Sequence, residues 1–121
     1  MQYTIYYDFV YLNEYIAAER GNRYKAAKIK KDATTSIMYM LLGKTKINPP
    51  CKITYTWFTK QRNRDIDNMA FASKYINDGL VKAKLLPNDN LNNIIEVTHR
   101  FEINKKAGVR FDIEEVIKWS T

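Results

Sequence analysis

The chain has a single cysteine, Cys51, only four glycines and three prolines, and no long apolar run in its 121 residues. One cysteine excludes an internal disulfide and a structural zinc site built on several thiolates, and it suits a reducing cytosolic setting. No Gly-rich phosphate loop and no zinc-finger spacing is present. No window approaches the roughly eighteen apolar residues that a membrane-spanning helix needs. The richest patch, IMYMLLG at 37–43, closes a helical pattern. The opening MQYTIYYDFV has no basic leader followed by an apolar run and a cleavage site, so neither secretion nor membrane insertion is expected. Acids are in the minority too: thirteen against twenty basic side chains give a formal charge of +7. A field of that sign favours anionic partners, such as nucleic acid or an acidic membrane surface, and says nothing about fold.

The apolar fraction of 45% is that of a folded chain, and the length suits one domain over 1–121. Residues 3–10 alternate, with Tyr3, Ile5, Tyr7 and Phe9 on one side, which predicts a strand. Asn13 reads as a helix cap, Gly21-Asn22 as a break, and Arg23 to Leu42 as a second helix closed by Gly43. Pro49-Pro50 leads rigidly into an alternating strand from Cys51 to Thr59. After a polar loop at 60–66, Asp67 or Asn68 caps a helix with the apolar stripe Met69, Ala72, Ile76 and Leu80, weakened near its end by Gly79. Residues 94–103 read as the longest strand, with Ile95, Val97, Phe101 and Ile103 on one face. A turn at Lys105–Gly108 then predicts a hairpin partner carrying Val109, Phe111 and Ile113. The order β-α-(α)-β-α-β-β predicts an α+β fold, a mixed or antiparallel sheet packed against two or three helices.

Chemistry concentrates in RDIDNMAFASK, residues 64–74. In an extended segment Asp65 and Asp67 project to one side while Ile66 faces the core. Two such carboxylates repel each other without a counterion, and Mg²⁺ satisfies one or two carboxylates together with water and substrate phosphate. The same spacing also fits a loop acid followed by a helix cap. Asn68 either caps the helix or holds Asp67. Lys74, seven residues after Asp67, falls on the same helical face and can support a phosphate, and Asp78 four residues on can pair with it. Asp89, in LLPNDNLNN, is either a third acid for this site or a turn residue.

The run from Arg62 to Leu80, followed by LLPNDN, resembles the RusA-like crossover junction endodeoxyribonucleases of phages and prophage regions. The lysine follows the asparagine by six residues, where the best-known branch has three, consistent with a one-turn insertion. The resemblance implies Mg²⁺-dependent resolution of Holliday junctions, with Mn²⁺ able to substitute, by a homodimer that makes paired nicks in branched double-stranded DNA. It implies Asp65, Asp67 and Asp89 as metal-binding catalytic carboxylates and Lys74 as the catalytic lysine, in the cytoplasm of a bacterial or phage-infected cell.

DNA contacts are expected from two groups of cations. Arg20, Arg23, Lys25, Lys28, Lys30 and Lys31 form a broad positive face, and Lys60, Arg62 and Arg64 precede the acids. Asn13, with Tyr11 and Tyr15 beside it at a loop-to-helix junction, is expected to contact DNA and the two tyrosines to reach it, whereas most other aromatics suit a core. His99 shares the parity of the β-face apolar residues and reads as a packed, hydrogen-bonded sheet residue. The IMYML stripe at 37–41 suits either a dimer surface or core. Competing functions are a non-catalytic DNA-binding recombination accessory and a phage structural or interaction domain.

Overall fold

Alternating apolar residues build four strands, and apolar residues three or four apart build the helices between them. In the computed structural model, which describes residues 1–116, the elements are β1 (Gln2–Ile5), α1 (Leu12–Gly21), α2 (Arg23–Leu41), β2 (Cys51–Thr59), α3 (Ile66–Ala70), α4 (Ser73–Lys82), β3 (Ile94–Ile103) and β4 (Gly108–Glu115). The fold is α+β. The sheet is mixed, in the order β1-β4-β2-β3, with β3 parallel to β2 and β4 antiparallel to it. The helices pack on one face.

That face is fixed by register. Ile53, Tyr55 and Trp57 of β2 stand opposite Ile113, Phe111 and Val109 of β4, and all six are buried. Ala33, Ile37 and Leu41 of α2 and Tyr75, Ile76 and Leu80 of α4 close over them in one apolar cluster. The stripe Met69, Ala72, Ile76 and Leu80 is buried as its spacing predicts. Cys51 is buried at the base of β2, its N–H donating to the Asn93 carbonyl at 2.8 Å. Burial, followed by the charge of Glu115, pushes its thiol pKa up.

Several expectations from sequence need correction. Residues 104–107 do not close a β-hairpin, because β2 lies between β3 and β4 and pairs with both. The turn signal is local, whereas pairing follows the burial of β2, which demands a neighbour on each edge. The first strand stops at Ile5 rather than reaching residue 10: its ladder ends at Ile5 opposite Val109, next to the first residue of β4, so Tyr6 onward has no strand to bond. Asn13 lies inside α1, whose cap position is Tyr11. On β3 a register shift against β2 between Ile94 and Glu96 takes Ile95 out of the alternation, and Ile95, Val97 and Ile103 stand open at 47%, 43% and 48% exposure while Phe101 packs on the core. The IMYML stripe belongs to the core: Ile37 and Leu41 are buried, Met38 and Met40 pack against them, and Tyr39 alone is exposed.

The break at Gly21-Asn22 is as predicted, with the Asn22 side chain accepting from the Tyr24 and Lys25 N–H groups. Gly43, just past α2, takes a φ of 76°, the left-handed conformation of a helix C-terminus. Gly79 has a different purpose from the one its position suggests. A Cβ there would lie 2.4 Å from Cγ2 and 2.7 Å from Cβ of Ile37, so the glycine lets α4 meet α2 closely. Gly79→Ala should therefore destabilise the fold by about 1–3 kcal/mol through overpacking, read as a lower urea midpoint. Adding Ile37→Ala should cost less than the two single changes summed.

Candidate functional site

The acidic turn begins where β2 ends. Asp65 is extended and caps α3, its carboxylate accepting the Asp67 N–H at 3.4 Å. This capping satisfies one of the free N–H groups of the helix start. Asp67 lies in the first turn, where a negative charge interacts favourably with the helix dipole. The cap is thus Asp65 and not Asp67 or Asn68, and the segment is not extended through Asp67. Ile66 consequently turns outward, 56% exposed, instead of facing the core. Both carboxylates remain exposed.

Asn68 caps a different helix from its own. Its Oδ1 accepts the Asn13 N–H at 2.7 Å, across 55 residues of sequence, supplying the oxygen that Tyr11 at the cap of α1 does not. Around this bond the Arg64 guanidinium lies 5.0 Å from the Tyr11 ring centre. Tyr15 packs on Phe71 at 5.4 Å between ring centres, and Tyr75 donates to the Val10 carbonyl at 2.7 Å. Tyr11 is therefore buried and Tyr15 half-buried, which corrects the expectation that this pair projects towards DNA. Desolvation, partly offset by Arg64, raises the Tyr11 phenol pKa.

Beside the turn, Asp8, Tyr11, Lys60 and Arg64 line a polar cleft of about 180 Å³. Asp8 is a neighbour that the sequence reading missed. Its one signal was chemical: it is the only acid in the first thirteen residues, set in an aromatic run.

Lys74 and Asp78 pair at 3.6 Å, as their spacing predicts, and Asp78 also meets Lys30 of α2 at 3.6 Å. Asp67 and Lys74 stand on two short helices rather than one, because the chain tightens between α3 and α4. There Ala72 N–H bonds the Met69 carbonyl and Lys74 N–H the Phe71 carbonyl, three residues apart in each case, so the helical phase is not that of one continuous α-helix. Asp89 is half-buried in the loop before β3, its N–H held by Asn88 Oδ1 at 2.7 Å. In the core, the Tyr55 hydroxyl donates to Asn77 Oδ1. Burial above all, then Cys51 and Asp89, drives the Tyr55 phenol pKa far up.

Among the described residues, no three His, Cys, Asp or Glu side chains come together as a metal cage. The three-carboxylate set of Asp65, Asp67 and Asp89 is thus not assembled. Mg²⁺ commonly retains several waters and takes one or two protein carboxylates, a demand that the neighbouring pair Asp65 and Asp67 suits by donor type.

The cations flank the turn at two distances. Lys60 and Arg62 are exposed and Arg64 half-buried in the loop that leads into it. Arg20 lies seven residues along α1 from Asn13, roughly 10 Å at the helical rise. Arg23, Lys25 and Lys28 follow on α2 and are exposed; Lys28 also pairs with Asp32 at 3.4 Å. No family model matches this chain, and no curated protein matches it either. The likeness to RusA-like nucleases therefore rests on residue pattern.

His99 is packed and hydrogen-bonded, as its parity predicts: Trp57 Nε1–H donates to its Nδ1 at 2.9 Å, and Tyr55 stacks on it at 5.3 Å. Nδ1 must be unprotonated to accept, and burial lowers the pKa below the ordinary 6.5.

Two measurements follow from these contacts. Asn68→Ala should destabilise the fold by about 0.5–2 kcal/mol in chemical denaturation, and Asn68→Asp, which keeps the acceptor, by clearly less. As pH falls below 6.5, the unfolded chain binds a proton at His99 before the folded chain does, so stability declines from there towards the depressed folded value. His99→Gln should accordingly lose less stability than the parent chain between pH 7.5 and 5.

Proposed function

We propose that this chain is a metal-dependent, structure-selective endodeoxyribonuclease that resolves four-way DNA junctions, acting as a homodimer. The observation that supports the reading best is the acidic turn itself. Asp65 and Asp67 are exposed at a helix start pinned by the Asn68–Asn13 bond, with Lys60, Arg62 and Arg64 beside them. In a chain of charge +7, two adjacent acids amid cations are out of character for a surface that only holds DNA. They are in character for one that also carries a hydrated divalent ion, Mg²⁺ or Mn²⁺.

The chain's own residues have separable parts in this reading. Lys60, Arg62 and Arg64 bind the phosphates nearest the turn. Arg20, Arg23, Lys25 and Lys28 engage the backbone farther along, which makes affinity fall with salt. Lys74, turned towards Asp78, acts as a further phosphate contact. Asn68 is a positioning residue, since it locks the turn to α1.

A second reading is supported by two positive observations: the Asp65 carboxylate is engaged as a helix cap, and the Asp89 backbone is tied within its own turn by Asn88. Both suit a DNA-binding recombination accessory that cuts nothing.

Charge removal without loss of the cap separates the readings, because asparagine caps helices as well as aspartate. With Mg²⁺ or Mn²⁺ and a synthetic four-way junction, Asp65→Asn and Asp67→Asn should each lower the cutting rate about a hundredfold or more. Junction binding in gel-shift assays should be kept. Tight, salt-dependent binding by the parent chain, with no cutting under any divalent ion, would instead establish the accessory reading.

A further inference from the structure

β3 stands at the end of the sheet, with β2 on one side and, among the described residues, no strand on the other. At ten residues it is the longest strand, it has no proline, and its pairing with β2 is regular from Lys52 to Thr59. The opposite edge, β1, has only four residues. Long, regular edge strands expose a row of N–H and C=O groups that another strand can pair with, and proteins normally blunt them. This one also carries apolar side chains into solvent. Val97 and Ile103 stand opposite Ile53 and Thr59, so they lie on the helix-bearing face, yet Ile95, Val97 and Ile103 are each more than two-fifths exposed.

The sequence of β3 says what fits there. Two identical strands related by a two-fold axis pair antiparallel, and each contact occurs twice. Opposed residues must share a face of the sheet, which restricts the axis to residue positions rather than the gaps between them. With the axis at His99, Glu96 would oppose the partner's Glu102 twice, a like-charge arrangement that destabilises a ladder. With the axis at Val97, Glu96 would oppose Thr98 of the partner subunit and no charge pair forms. With the axis at Thr98, Glu96 meets the partner's Arg100 twice and Val97 meets the partner's His99, all within the part of the strand that lies beyond the register shift at Ile95.

We propose that two copies of this chain pair antiparallel through β3 about an axis at Thr98, joining their sheets into one continuous sheet and covering the exposed Val97. The pairing supplies the dimer surface that the proposed function leaves open, but it rests on the strand alone and not on the nuclease reading.

Sedimentation velocity tests it with the full chain. The parent should sediment at twice 14.3 kDa. Glu96→Arg and Arg100→Glu should each weaken association at least about tenfold, and the double swap, which restores opposite charges, should recover it. Thr98→Lys, which sets two ammonium groups on the axis, should dissociate the pair without touching the Lys52–Glu96 contact. A parent chain monomeric at 100 µM on the order-of-magnitude scale of weak specific pairs overturns the proposal. So does a dimer indifferent to these variants, or a folded double swap that stays monomeric. Junction cutting is scored separately: a dimer of this kind that does not cut would count against the proposed function and leave the pairing standing.

Discussion

Strand β2 is hydrogen-bonded along both edges, to β3 on one side and β4 on the other, and its odd-numbered residues are buried under the helices. The arrangement of the molecule follows from that double pairing. Because β2 occupies the middle, the chain leaving β3 must pass its end before β4 can begin, and Asn104 bonds the Thr59 carbonyl at 2.9 Å on the way. Because β3 and β2 are parallel, the link between them must travel back along the sheet, and α3 and α4 make that journey. The acidic turn therefore lies where β2 runs out, at the start of the return, within reach of the α1 terminus.

Much of this architecture was legible in the sequence, for identifiable reasons. β2 and α4 alternate or repeat over long stretches, and their apolar residues are those the core needs. Asn22 and Gly43 mark helix ends by local chemistry, which survives in any tertiary context. The failures share a cause as well. Tyr7 and Phe9 continue the parity of β1, but parity cannot tell a residue with a neighbouring strand from one without. Val97 and Ile103 have the composition of core residues and stand on the correct face, yet the helices do not extend over them. A turn at 104–107 announces a reversal of direction, and nothing local in it says which strand will lie alongside. The close contact of Gly79 with Ile37 joins residues 42 positions apart, a coincidence invisible along the chain.

The candidate site was legible by residue type more than by shape. Asp65, Asp67 and Asn68 do lie together at a helix start, and Lys74 does pair with Asp78. The sequence could not show that Asp65 spends part of its acceptor capacity on its own helix, or that Asn68 serves α1. Nor could it show that a tight turn at Phe71-Ala72 separates the short helix of Asp67 from that of Lys74. Asp8 entered the neighbourhood through the bend after β1, a feature that exists only because the ladder to β4 ends at Ile5.

The buried thiol at the foot of β2 has a use of its own. A cysteine reacts with alkylating reagents as its thiolate, and Cys51 is both sealed from solvent and held protonated by its surroundings. Modification therefore has to wait for the central strand to separate from its neighbours. As the chain's sole sulfhydryl, it turns an ordinary labelling rate into a clock for how often the heart of the sheet comes apart.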